Sequence, residues 1–190
     1  LLPNQEPPAF EERAMVYHQY QAFKTSKAKE PTGADIEGPF YKNGAPWRNV
    51  LSDKPTLKLS GRVLNQKGEP ISATLDFWQA DEKGVYDNDG FNFRGKQTAF
   101  AGGFYELDTV RPGDYQIADN PPDFRCAHIH VKLTTDGYKP LTTQLYFADD
   151  KYDATDHWFD AKRVIQMSNE TRQDGTEYSL GKFDFVLEKV

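Results

Sequence analysis

Cysteine is nearly absent from this chain of 190 residues: Cys126 stands alone, so no intrachain disulfide can form. The fold must therefore rest on its core rather than on covalent staples. Long apolar runs are missing too. Hydrophobic residues make up 37% of the chain, and no stretch approaches the roughly 20 apolar residues of a membrane-spanning helix. Basic residues are outnumbered 23 to 29, giving a net charge of −6. That balance argues against nucleic acid or an anionic membrane as partner, since both call for a basic face. The sequence opens at Leu1 with neither Met nor a signal-like run. The expectation is a soluble chain, cytoplasmic or exported with its signal removed.

What is present reads as one domain of short strands. Residues 1–8 (LLPNQEPP) read as an extended arm, and the apolar spacing at Ala14, Val16, Tyr17, Tyr20 and Phe23 predicts one helix over 10–23. A polar linker, 24–35, follows. Helical signals then give way to alternating runs at 57–65, 73–80, 103–110, 114–118, 127–135, 141–147 and 181–190. Asn65-Gln-Lys-Gly68 is expected to close a hairpin, and Arg111-Pro-Gly-Asp114 to form a type II turn. The fold class expected is mainly β: a β-sandwich with one short N-terminal helix, divided into an arm, helix and linker (1–35) and a sandwich domain (36–190).

Histidine is scarce, at four, yet His128 and His130 stand two apart in Arg125-Cys-Ala-His-Ile-His130. Side chains two apart on a strand leave the same face, and imidazole is a common metal ligand. A structural role in hydrogen bonding is the plain alternative. The cupin pattern fails, because no Glu follows: the next residues are Val131, Lys132, Leu133 and Thr134. Strict alternation adds Cys126 to the same face, so a Cys126-His128-His130 zinc site remains open on local spacing alone.

Several ordered motifs carry a wider resemblance. They are Ile36-Glu-Gly-Pro-Phe-Tyr41, Asp76-Phe-Trp-Gln-Ala80, Gly84-Val-Tyr86, Arg94-Gly95, Gly103-Phe-Tyr105, Thr109-Val-Arg-Pro-Gly-Asp-Tyr115, Arg125-x-x-His-Ile-His130 and Leu141-Thr-Thr-Gln-Leu-Tyr-Phe147. Together, from Ile36 to the C-terminus, they resemble the intradiol ring-cleavage dioxygenases, the family of catechol 1,2-, hydroxyquinol 1,2- and protocatechuate 3,4-dioxygenases. The resemblance implies a prealbumin-like antiparallel sandwich. It implies a mononuclear non-haem Fe(III) held by Tyr86, Tyr115, His128 and His130, with Tyr115 and His130 axial and Tyr86 and His128 equatorial. It also implies Arg125 as the electrostatic stabiliser of charge on the substrate, Gln144 beside it, and Ile36, Pro39 and Phe40 along the ring pocket. The substrates implied are a catechol-type diol and O2, the product a muconate-type diacid, with no organic cofactor. Phenolate oxygens suit a hard trivalent cation better than thiolate does, which leaves Cys126 as a small buried residue.

Three departures shape the expectations further. Only about 35 residues precede the Ile-Glu-Gly-Pro motif, so the helical-arm dimer of the larger enzymes is not expected. Ile117 stands where protocatechuate enzymes carry tryptophan. The segment between Tyr86 and Tyr115 is short, which implies an open pocket and broad tolerance of substituents. Arg125 falls on the opposite face from the histidines by strict alternation, so its functional role requires the chain to bend before Ala127. The competing non-enzymatic reading is a prealbumin-like binding module.

Overall fold

A computed structural model describes residues 28–99 and 101–190; the helix expected over 10–23 lies outside them. Eleven strands are present among the described residues: β1 (Leu57–Asn65), β2 (Thr74–Gln79), β3 (Arg94–Thr98), β4 (Phe104–Thr109), β5 (Tyr115–Asp119), β6 (Pro122–Arg125), β7 (His128–Thr134), β8 (Leu141–Tyr146), β9 (Gln166–Thr171), β10 (Glu177–Lys182) and β11 (Phe185–Leu187). No helix among the described residues is long and apolar enough to cross a membrane.

The strands form a mainly β sandwich. One layer runs β3-β2-β7-β8, antiparallel throughout. The other is built around β1, which takes β4 antiparallel and then β10 and β11 in succession, both parallel; β9 closes the edge on β10. The two parallel pairings add to the expected antiparallel pattern. β5 and β6 form a separate ribbon.

Period-two alternation decides what fills the space between the layers. Leu75, Phe77, Ile129, Val131, Leu133, Leu141 and Leu145 point inward from one sheet, meeting Leu57, Leu59, Val63, Tyr105, Leu107 and Phe185 from the other. The hairpin at Asn65–Gly68 forms as expected: Gly68 takes φ 79° and donates its N–H to the Asn65 carbonyl at 2.9 Å. The run 181–190 splits instead, because the chain breaks at Phe183–Asp184 between β10 and β11. Thr32 and Asp35 lie against the sandwich: Thr32 N–H donates to the Val186 carbonyl and Asp35 N–H to the Thr142 carbonyl, both at 2.9 Å.

The opposite residues of β2, β7 and β8 face outward. On such a sheet that face normally meets water, and it should be polar and wet. Here Trp78, His128, His130, Gln144 and Tyr146 are all buried. Loops fold back over the outer face, and a buried, partly polar layer lies beneath them.

Candidate active site

The register sets this layer out. His130 pairs with Trp78 on one side and Gln144 on the other, and His128 pairs with Tyr146. Cross-strand partners share a face, so the five side chains are adjacent. His128 Nδ1 lies 2.7 Å from the Cys126 carbonyl oxygen. A carbonyl only accepts, so Nδ1 carries the proton and Nε2 keeps its lone pair. The Tyr86 hydroxyl sits 3.1 Å from that Nε2. His130 stacks on Trp78 with ring centroids 4.7 Å apart and planes 8° from parallel. Its Nδ1 is buried without a hydrogen-bond partner. Burial pushes His128 down to about 4, with the nearby Arg125 cation adding to the effect. Burial, followed by His128 itself, holds His130 well below the ordinary imidazole range. Both rings are therefore neutral near pH 7, the form a metal needs.

The tyrosines reach the same place from two loops, and two glycines explain how. Asp81 organises the first loop: its Oδ1 accepts from the N–H groups of Lys83 and Val85, both at 2.9 Å. Its carbonyl accepts from Gly84 at 3.1 Å and, across the gap, from Gly113 of the second loop at 2.8 Å. Gly84 takes φ +79°, and a Cβ there would lie 2.1 Å from the Asp114 carbonyl oxygen. A Cβ on Gly113 would lie 2.5 Å from the Gly84 nitrogen. The two backbones thus touch where only glycine fits. Gly113 is not among the positive-φ residues, so the expected type II turn does not form; close approach is what requires glycine there.

This contact sets Tyr86 and Tyr115 edge to face with centroids 5.6 Å apart. Phe40 stacks on Tyr86 at 4.4 Å and meets Tyr115 edge-on at 5.2 Å. Tyr86 is buried, and burial raises its phenol above the ordinary value, against the lowering pull of Arg125 and Arg94. Tyr115 is half-buried and lines a cleft of about 440 Å³ together with Phe40, Tyr86, Phe124, Lys83 and Asn88. Ile36 and Pro39 are exposed and do not line this cleft, whereas Phe40 does.

Arg125 ends β6, and the chain breaks at Cys126–Ala127 before β7 begins at His128. That break is the bend the sequence called for, and it brings Arg125 to the histidine side. β6 pairs Arg125 with Tyr115. The Arg125 Nη2 donates to Gln144 Oε1 at 2.8 Å, and Nε donates to both carboxylate oxygens of Asp156, at 2.9 and 3.1 Å. Gln144 Nε2 in turn donates to the Ile36 carbonyl at 3.0 Å, which fixes the amide's orientation.

Cys126 stands apart. Its thiol donates to Asp156 at 3.1 Å, and burial together with that carboxylate pushes its pKa far up. Among the described residues no three His, Cys, Asp or Glu side chains cluster as a metal site. The Cys126-His128-His130 zinc set is thus not assembled. The irregular link between β6 and β7 breaks the alternation on which that reading relied. Two neutral imidazoles and two phenols do come together, with His128 and His130 rings 4.8 Å apart and Tyr86 6.2 Å from His130. Their hard oxygen and borderline nitrogen donors, with one buried imidazole nitrogen lacking a partner, fit a ferric ion.

Sequence reasoning missed Trp78 and Asp156 as parts of this site. Trp78 left one trace, an apolar residue at an outward position of β2. Asp156 left none, lying in the carboxylate-rich loop Asp149–Asp160 without periodicity.

Comparison with known proteins decides the family. A family model described as Dioxygenase matches residues 36–189. The chain belongs to the intradiol ring-cleavage dioxygenases. A chlorocatechol 1,2-dioxygenase of Rhodococcus opacus is 31% identical over 189 residues, covering 83% of this chain and 72% of the relative. A hydroxyquinol 1,2-dioxygenase of Rhizobium sp. (strain MTP-10005) is 29% identical, covering 72% of this chain and 56% of its own length. Among solved structures, the dioxygenase domain of a dioxygenase carbohydrate-binding protein fusion from the cellulolytic bacterium Streptomyces sp. SirexAA-E superposes with a TM-score of 0.75 at 37% identity. It covers 85% of this chain and 100% of that domain. The 3-chlorocatechol 1,2-dioxygenase of Rhodococcus opacus 1CP gives a TM-score of 0.78 at 27% identity, covering 92% of this chain and 78% of its own. As a family member, this chain is an intradiol dioxygenase with the family's sandwich.

Proposed function

We propose that this dioxygenase opens a catechol-type diol between its two hydroxyl-bearing carbons with O2, giving a muconate-type diacid. In this proposal Tyr86, Tyr115, His128 and His130 hold a mononuclear non-haem Fe(III). The observation that carries it is the convergence of two phenols and two neutral imidazoles on the outer face of a sheet, with Tyr86, His128 and His130 buried and Tyr115 half-buried at the cleft. When bound, ferric iron supplies the Lewis acidity that makes the diol reactive toward O2 without an external reductant.

The chain's own groups divide the remaining work. Tyr86 and His128 are buried and locked by packing and by the Cys126 carbonyl. Both tyrosines line the cleft and Tyr115 is the less buried of the two; held as a phenolate by the iron, it would be the group placed to take a proton from an arriving diol. Phe40 stacks on Tyr86, meets Tyr115 edge-on and offers an apolar wall to the aromatic substrate. Arg125 directs its Nη2 to Gln144 beside the histidines, a preorganised positive charge of the kind that stabilises a developing anion. Among the described residues the cleft lining is mixed, with Lys83, Asn88, Asp114 and Gln116 beside Phe40, Val85 and Phe124, which supports broad tolerance of ring substituents.

The visible spectrum of the iron-loaded protein, before and after anaerobic catechol, tests this reading. Expected are a red-brown tyrosinate-to-iron band and its shift to longer wavelength with catechol. Tyr86→Phe and His130→Ala should each lose colour or iron. A protein that stays colourless after ferric reconstitution overturns the reading and favours a plain binding module. Rates on catechol, 4-substituted catechols, hydroxyquinol and protocatechuate test the breadth. Strict selectivity for one of them would contradict it.

A further inference from the structure

We propose that Asp156 is a positioning residue of the site: one carboxylate that fixes both the Arg125 guanidinium and Cys126, the residue whose carbonyl orients His128. The inference rests on the proposed function and extends it to a residue outside the metal-binding and substrate-facing set.

Asp156 is buried in the loop after β8, and its two oxygens accept from four groups. Arg125 Nε donates at 2.9 and 3.1 Å, the Cys126 N–H at 3.0 Å, the Cys126 thiol at 3.1 Å and the Trp158 N–H at 2.9 Å. Two arms leave from this anchor. In the first, Asp156 occupies the Nε edge of the guanidinium while the Trp158 ring lies 4.5 Å from its centre. Only the Nη groups are left to face Gln144 and the site. In the second, Asp156 grips Cys126 at its backbone N–H and its thiol, and the carbonyl on the other side of the same Cα accepts from His128 Nδ1 at 2.7 Å, while the N–H of that carbonyl's own peptide, on Ala127, donates to Asp150 at 3.2 Å. Such a contact to the nitrogen that does not bind metal sets an imidazole's tautomer and direction. The same carboxylate also balances the Arg125 charge, whose side chain is only 7% exposed. A carboxylate needed only to hold its own loop would be satisfied by the Trp158 N–H and its neighbours. Here it reaches across 31 residues to the strand end that carries the arginine.

The test compares wild type, Asp156→Asn, Arg125→Gln and the double variant. In the iron-free protein, hydrogen exchange at Arg125 Nε–H and His128 Nδ1–H is read by nitrogen-15 NMR. Asp156→Asn is expected to speed both by about tenfold or more, since each proton loses its fixed partner or the support behind it. With iron loaded, Asp156→Asn is expected to keep the visible band but lose about 10- to 100-fold in kcat on catechol, with KM changed far less. The double variant should fall by less than the product of the two single losses, because part of the Asp156 effect passes through Arg125. Wild-type exchange at both protons, kcat within about threefold of wild type, or losses that multiply in full would each overturn the proposal. Should Asp156→Asn fail to fold, Asp156→Glu keeps the charge and displaces it, and carries the same comparison. A wild type that takes up no iron or leaves catechol untouched defeats the proposed function instead. The exchange measurement, made without metal, still decides whether Asp156 holds the two arms.

Discussion

A cysteine two residues from a histidine of the site, yet excluded from it, shows how little sequence distance says about reach. Cys126 faces Asp156, and its thiol stays protonated because burial and that carboxylate both oppose ionisation. Serine keeps a donor of similar size at this position. Cys126→Ser is therefore expected to retain iron and the visible band, as elemental analysis and absorption spectroscopy would show; loss of bound metal would return the zinc reading. The histidine pair could be read from the sequence because a strand's period of two is a strong rule. Tyr86 and Tyr115 could not be picked from ten tyrosines without the family's motifs. Both stand where no periodicity reaches, Tyr86 in a loop and Tyr115 at the first residue of a short ribbon.

At the scale of elements, the two tyrosine-bearing loops are held by a backbone contact rather than by side chains. Gly113→Ala drives a methyl group toward the Gly84 nitrogen and the Glu82 carbonyl, at 2.5 and 2.6 Å. The loops must separate, and the tyrosines with them. Misplacement by about 1 Å is expected to lower turnover by about 100-fold. Gly137→Ala is the control, since Gly137 has φ +80° with nothing within 4 Å of its Cβ position. It should cost roughly 1–2 kcal/mol of stability from the left-handed backbone and leave turnover intact, measured by urea unfolding beside a steady-state assay. Strands with apolar alternation, such as β1, β2, β4, β7 and β8, were legible to within a residue or so. β9 was not: every residue from Gln166 to Thr171 is exposed, so burial writes no pattern into it. β3 reads Arg-Gly-Lys-Gln-Thr and β6 begins with proline, and both take their place from partners rather than from their own preferences.

For the molecule as a whole, buried phenols set an alkaline limit. Burial raises Tyr105 well above the usual phenol value; its hydroxyl donates to the Phe183 carbonyl at 2.7 Å. Burial, then Asp76, pushes Tyr41 up to about 12, and burial, then Asp108, does the same for Tyr178. In the unfolded chain these groups ionise near 10. Between about pH 10 and 12 the folded state therefore holds protons that the unfolded state has released, and stability falls as pH rises. The urea midpoint is expected to hold from pH 7 to 9 and decline from about pH 10. Tyr105→Phe should shallow that decline. An unchanged slope in the variant would mean that Tyr105 does not contribute to it.

β7 carries two interleaved texts. Ile129, Val131 and Leu133 belong to the interior, while His128 and His130 belong to the outer layer, where the iron is proposed to sit. A substitution edits one text and spares the other, whereas a single inserted or deleted residue garbles both. Descent along point substitutions can therefore silence the chemistry and leave an intact sandwich, free to survive as a scaffold. No shift of reading along this strand can preserve either.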